Sequence, residues 1–173
     1  RPEVYRAFSR ESQQLIFQKV HDAWKKNPAG EALFPADVTK AVLYFIRDPR
    51  DVAVSFAYHS SFSFEKMIQC MADPSFSFCE RENKLYNQLR QELSTWSGHV
   101  KSWVDDSGLP VLVLRYEDML SKPFETFQKA VQYLQLDYTE IKIEQALKNS
   151  DFQKLKKMEE AEGFSEKPIN MKS

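Results

Sequence analysis

An α/β domain built on a parallel sheet is the fold class this sequence predicts, and three observations predict it. Short runs of strand formers, LIFQKV at 15–20, AVLYFI at 41–46 and PVLVLRY at 110–116, are apolar on both faces, as strands inside a parallel sheet are. Helical patterns stand between them, which calls for right-handed crossovers instead of hairpins. The composition is that of a folded chain: 173 residues, 42% hydrophobic and 28% charged, enough for one core.

Each element has its own reason. The opening RPEVYRAFSRESQQ runs into the first strand-like segment. In the third run Pro110 takes the edge, where its missing N–H does least harm. Residues 50–60 carry Val52, Ala53, Phe56 and Ala57 at helical spacing. Leu85, Leu89, Leu93, Trp96, Val100 and Trp103 form a stripe that predicts one long helix over 80–104, broken by Gly108 and Pro110. Lys122-Pro123 opens another helix through Phe127, Val131 and Leu134, and a further one covers about 139–148. The Lys- and Glu-rich stretch 153–162 reads as a solvated face. Loop 25–38, punctuated by Pro28, Gly30 and Pro35, is long enough to do more than connect. The expected organisation is a single domain over 1–173, with both ends reading as cut.

Charge and cysteines narrow the partners. Lysine and arginine number 24 against 25 acids, so no global basic field argues for nucleic acid. Cys70 and Cys79 have no metal-ligand spacing around them and suit a reducing, cytoplasmic compartment. No apolar stretch approaches a membrane span, and no signal peptide opens the chain. No metal is expected.

The most informative stretch is AVLYFIRDPRDVAVSF at 41–56, where an apolar run ends in a burst of charge. Open parallel sheets bind ligands at the carboxyl ends of their strands, and Arg47 sits at such an end. Asp48 is a natural N-cap, with Pro49 at the first helical position. A guanidinium there suits a phosphate, gripped by two parallel hydrogen bonds, and Ser55, two turns along, offers a hydroxyl. The competing reading pairs Arg47 with Asp48 or Asp51 and makes Ser55 a small residue at a tight contact. Spacing alone leaves both open.

Three separated segments decide between them by resemblance. YFIRDPRDVAVSF at 44–56, VLVLRYEDMLSKP at 111–123 and KVHDAW at 19–24 resemble the sulfotransferases that use 3′-phosphoadenosine 5′-phosphosulfate (PAPS). That resemblance implies a three-layer, P-loop-NTPase-like parallel sheet flanked by helices. It implies that Arg47 and Ser55 hold the 3′-phosphate, that Tyr116 lies near the nucleotide, and that Ser150, Phe152 and Leu155 cover the adenine. It makes His21 the general base, a task that suits an imidazole because its unperturbed pKa of about 6.5 lies near the working pH, and Lys19 the stabiliser of developing negative charge. If the first run is a strand, Lys19 and His21 face the same way, because side chains alternate. His59 and His99 lack that setting and read as structural. Asp151 departs from the pattern, an acid beside an anionic nucleotide. The family's 5′-phosphosulfate loop is expected upstream of Arg1, and its Arg-Lys-Gly segment near where Ser173 ends the chain.

The reaction implied is sulfuryl transfer from PAPS to a hydroxyl or amine of a small molecule, leaving adenosine 3′,5′-bisphosphate. A nucleotide or nucleoside kinase is the alternative with similar layout, but its Gly-rich Lys-Ser/Thr loop is not visible. A non-catalytic nucleotide-binding module is the alternative from another class. Acceptor choice is expected to fall to 25–38 and to the aromatic stretch 62–78, a lid or simply packing. Oligomeric state is not legible in the sequence.

Overall fold

The computed structural model describes residues 2–12, 14–79 and 89–163. Along the chain it has α1 (Pro2–Glu11), β1 (Val42–Ile46), α2 (Pro49–Ser60), α3 (Phe64–Met71), β2 (Ser77–Phe78) and β3 (Gln91–Glu92). There follow α4 (Trp96–Val104), β4 (Val111–Arg115), α5 (Tyr116–Ser121), α6 (Pro123–Tyr133), α7 (Glu140–Asn149) and α8 (Phe152–Glu162). Strands β1 and β4, far apart in sequence, are hydrogen-bonded neighbours. Strands β2 and β3 form a small antiparallel ladder, Ser77 opposite Glu92 and Phe78 opposite Gln91.

Helix ends follow the expected chemistry. Asp48 caps α2, its carboxylate accepting the Arg50 N–H at 2.9 Å, with Pro49 first in the helix. Ser61 closes α2 in the left-handed region at φ 55°, donating its N–H to the carbonyls of Ala57 and Tyr58. Thr95, Thr139 and Asp151 cap α4, α7 and α8 through their side chains. Asp151 is therefore engaged at 3.0 Å with the Lys154 N–H, and its departure from the family pattern has a structural use.

Two expectations need correction. Residues 15–20 are not a strand. A strand persists where a neighbour takes its backbone groups, and among the described residues no strand pairs with this run. Leu15, Ile16 and Phe17 are 45%, 53% and 67% exposed. The long helix over 80–104 is instead a helix from Trp96. Thr95 turns the chain into it, and 91–94 are committed to other partners: the Leu93 and Ser94 N–H groups both donate to the Phe76 carbonyl. Leu85 and the rest of 80–88 lie outside the described residues. The opening segment is helix α1, held by Arg6, which pairs with Glu3, Glu31 and Asp37.

The chain divides into two compact units, Arg1–Tyr44 with Phe64–Val111, and Phe45–Ser63 with Leu112–Ser173. In the first, Leu33, Phe34 and Trp103 form the core, packed against Tyr5, Val20, Trp24, Val42, Tyr44 and Leu109. The Phe34 ring lies 5.0 Å from Trp103 and 5.3 Å from Tyr5. The same unit buries Met67 of α3 completely. In the second, Ala53 and Ala57 of α2, Leu114 of β4, Ala130 of α6 and Ile143 of α7 are buried, and α6 packs on both α5 and α7.

Candidate active site

In the second unit, the junction after β1 meets the junction after β4. The Asp48 N–H donates to the Glu117 carboxylate at 2.9 Å, and that bond holds the Glu117 pKa below the usual carboxylate range. The Asp48 carboxylate is occupied by Arg50, whose Nη2 approaches Oδ2 at 2.6 Å. Arg50 keeps the Asp48 pKa down at about 2.

Arg47 is therefore not Asp48's partner. Its Nη2 stands 3.7 Å from Asp51 Oδ2, an ion pair without hydrogen-bond contact. Its guanidinium carbon lies 4.6 Å from the centre of the Tyr116 ring, within the range of a cation–π contact. Its Nε is buried and has no hydrogen-bond partner. Buried N–H groups are almost always satisfied. An unpaired donor on a cation that is stacked from one side suits an anion from outside the chain, so these residues fit the phosphate that the sequence led us to expect.

Ser55 is exposed on α2. Tyr116, read from the sequence as the last residue of the third strand, is instead the first residue of α5, one position past the end of β4. Ser150 closes α7, its hydroxyl donating to the Ala146 and Leu147 carbonyls at 3.0 and 3.2 Å. Phe152 is 73% exposed and Leu155 47%, so Phe152 is no core aromatic. Of the six nucleotide residues the sequence pointed to, Arg47 and Tyr116 are in contact.

The first unit holds Lys19 and His21 on an exposed, irregular segment. The alternation argument for their shared direction does not apply there. What fixes the chain at His21 is a set of bonds to α4 and β3. The His99 Nε2 stands 3.1 Å from the His21 carbonyl oxygen. Asp22, buried, accepts the Glu92 N–H on its carboxylate at 3.1 Å and the Trp103 indole N–H on its carbonyl at 2.9 Å. The Ala23 N–H donates to Glu92 O at 2.7 Å, and the Trp24 N–H to the Ser102 hydroxyl at 3.0 Å.

His99 in turn meets Tyr44 of β1, with 2.8 Å between its Nδ1 and the phenolic oxygen. A carbonyl only accepts, so Nε2 carries the proton; in a neutral imidazole Nδ1 then accepts from the Tyr44 hydroxyl. Burial lowers the His99 pKa and pushes the Tyr44 phenol up to about 12, and both shifts favour this neutral arrangement.

Comparison with known proteins matches the family model described as sulfotransferase domain to residues 13–170. The chain belongs to the sulfotransferase domain family. Luciferin sulfotransferase of Photinus pyralis is 26% identical over 150 residues, 86% of this chain and 38% of that protein. Human sulfotransferase 1E1 is 31% identical over 116 residues, 66% of this chain and 37% of its own. The chain thus spans less than two-fifths of the length of these relatives. A crystal structure of retinol dehydratase, in complex with androsterone and the inactive cofactor PAP, superposes with a TM-score of 0.55. It is 24% identical, over 80% of this chain and 41% of that one. That likeness gives the sulfotransferase domain its fold, an α/β, P-loop-NTPase-like parallel sheet flanked by helices.

The sequence reading gave Tyr44 and Asp22 no role and took His99 as structural. A signal for His99 was present. It stands between Trp96 and Trp103 at helical spacing, a polar group on an apolar stripe that needs a partner once packed.

Proposed function

We propose that the sulfotransferase domain serves sulfuryl transfer from PAPS to a hydroxyl or amine of a small-molecule acceptor, releasing adenosine 3′,5′-bisphosphate. The observation that carries this reading is Arg47, a stacked cation with a buried, unpartnered Nε at the end of β1. Arg47 and Ser55 take the 3′-phosphate. Tyr116 lies beside the nucleotide, and Ser150, Phe152 and Leu155 cover the base. In the transfer, a lone pair of the acceptor oxygen or nitrogen forms the bond to sulfur. The bond from sulfur to the 5′-phosphate oxygen breaks, its electron pair leaving with the phosphate. The acceptor's proton goes to the His21 imidazole, and Lys19 offsets the negative charge that gathers on the leaving side. Cys70 and Cys79 are free thiols, which suits a cytoplasmic location.

The test is an assay of the full-length protein with PAPS and a panel of phenols, alcohols and amines, following bisphosphate release, beside calorimetry with the bisphosphate. Transfer to at least one acceptor and tight bisphosphate binding are expected. Binding of ATP with magnesium in preference to the bisphosphate would point to a kinase instead. Bisphosphate binding without transfer to any acceptor would point to a binding module.

A further inference from the structure

Outside the proposed nucleotide site, a group of polar contacts holds the backbone at His21. It contains a titratable side chain, His99, to which neither the family match nor the proposed chemistry gives a task. Asp22, Ala23 and Trp24 are each anchored by their own bonds to β3 or α4. The bond to the His21 carbonyl itself comes from His99, at 3.1 Å.

We propose that His99 is a positioning residue for His21: its Nε2–H fixes the His21 carbonyl, and the Tyr44 hydroxyl keeps the proton on that nitrogen by occupying Nδ1. This rests on the reading of His21 as the general base. The chemistry requires it in the following sense. A base works when its imidazole is held within hydrogen-bond reach of the acceptor proton, and a displacement of about 1 Å can cost about 10²-fold in rate. The segment carrying His21 is irregular and exposed, so no strand ladder supplies that precision. The α4 helix is capped by Thr95 and packed into the core through Trp103. His99 ties the His21 backbone to that anchored helix. Tyr44 also packs its ring 5.7 Å from the imidazole, so the orientation is fixed by both a hydrogen bond and a contact.

Substitutions that separate the hydrogen bond from the packing test this, made in the full-length protein. His99→Phe keeps a ring but has no donor; His99→Gln places an amide N–H at about the reach of Nε2. Expected for His99→Phe is a fall in kcat of about 10- to 100-fold, with bisphosphate affinity within about twofold of wild type. Expected for His99→Gln is recovery of most of the lost kcat. A residue that served only to stabilise the fold would lower the melting temperature in both variants and would not separate Gln from Phe. Nitrogen-15 NMR of the imidazoles gives a readout independent of turnover and of whether His99→Phe folds. The Nε2–H tautomer of His99 is expected in wild type, with the Nδ1–H form gaining population in Tyr44→Phe. Undiminished kcat in folded His99→Phe, equal impairment of the Gln and Phe variants, or an Nδ1–H tautomer in wild type would each overturn the proposal. Absence of any transfer by the wild-type protein would instead overturn the sulfotransferase reading, and this one with it.

Discussion

The Arg47 guanidinium lies 4.6 Å from the centre of the Tyr116 ring, joining the residue that follows β1 to the residue that follows β4. The contact makes a testable pair. Arg47→Ala is expected to weaken adenosine 3′,5′-bisphosphate by about 1.5–3 kcal/mol, the usual worth of a hydrogen bond to a charged group. Tyr116→Leu removes the face on which the cation rests and is expected to cost about 0.5–2 kcal/mol, whereas Tyr116→Phe keeps the face and most of the affinity. Isothermal calorimetry measures all three. Wild-type affinity in Arg47→Ala would remove Arg47 from the phosphate site.

His21 and the residues proposed for the nucleotide belong to separate compact units, and a base is expected to act on the rate more than on nucleotide binding. His21→Ala should lower kcat by about 10²- to 10⁴-fold, the range of general base catalysis. Bisphosphate binding should stay close to wild type. Single-turnover measurements with saturating PAPS check the first and calorimetry the second. Wild-type turnover in His21→Ala would end its assignment as the base.

How legible this was depended on how local the determinants were. The junction at 47–49 was readable because one stretch holds strand end, cap and helix start, and the α2, α6 and α7 helices followed their periodicity closely. The failures were non-local. LIFQKV has strand composition, but a strand is a property of a pair, and composition names no partner. The leucine stripe looked continuous through 93. The backbone of 91–94 is instead taken by β2 and Phe76, and Thr95 resets the helix start. At the site, family resemblance named the residues proposed to meet substrate. It did not name His99, because a supporting hydrogen bond to a carbonyl leaves no motif; its target can be any residue type.

Asp48 gives a pH prediction whose sign is fixed. Arg50 holds its folded pKa at about 2, below the ordinary 3.8. A depressed acid stabilises the fold fully above its unfolded value, and that stabilisation is lost as pH falls through the folded value. Urea denaturation between pH about 4 and about 2 should therefore give declining stability, in the window set by that shift. Asp48→Asn keeps an N-cap acceptor but cannot ionise, so its profile should be flatter over the same window. Parallel profiles for the two proteins would mean that Asp48 is not the group responsible.

Gly98 inverts the usual rule for glycine in a helix. Replacing a helical glycine by alanine ordinarily stabilises, by up to about 1 kcal/mol in a helix interior, and Gly98 is the third residue of α4. Here a Cβ would stand 2.8 Å from the Thr95 hydroxyl oxygen and 3.0 Å from the Ser94 hydroxyl oxygen. The Thr95 hydroxyl is the cap of α4, accepting the Gly98 N–H at 2.9 Å. Gly98→Ala must push that hydroxyl aside, and losing such a cap costs about 1 kcal/mol. The variant is expected to be no more stable than wild type, and less so if the cap is fully lost. In a Thr95→Gly background the nearest obstruction is gone, and Gly98→Ala should then stabilise. Thermal or urea denaturation of the four proteins of this cycle measures the coupling. Equal effects of Gly98→Ala in both backgrounds would mean that the Thr95 cap is not what keeps position 98 bare.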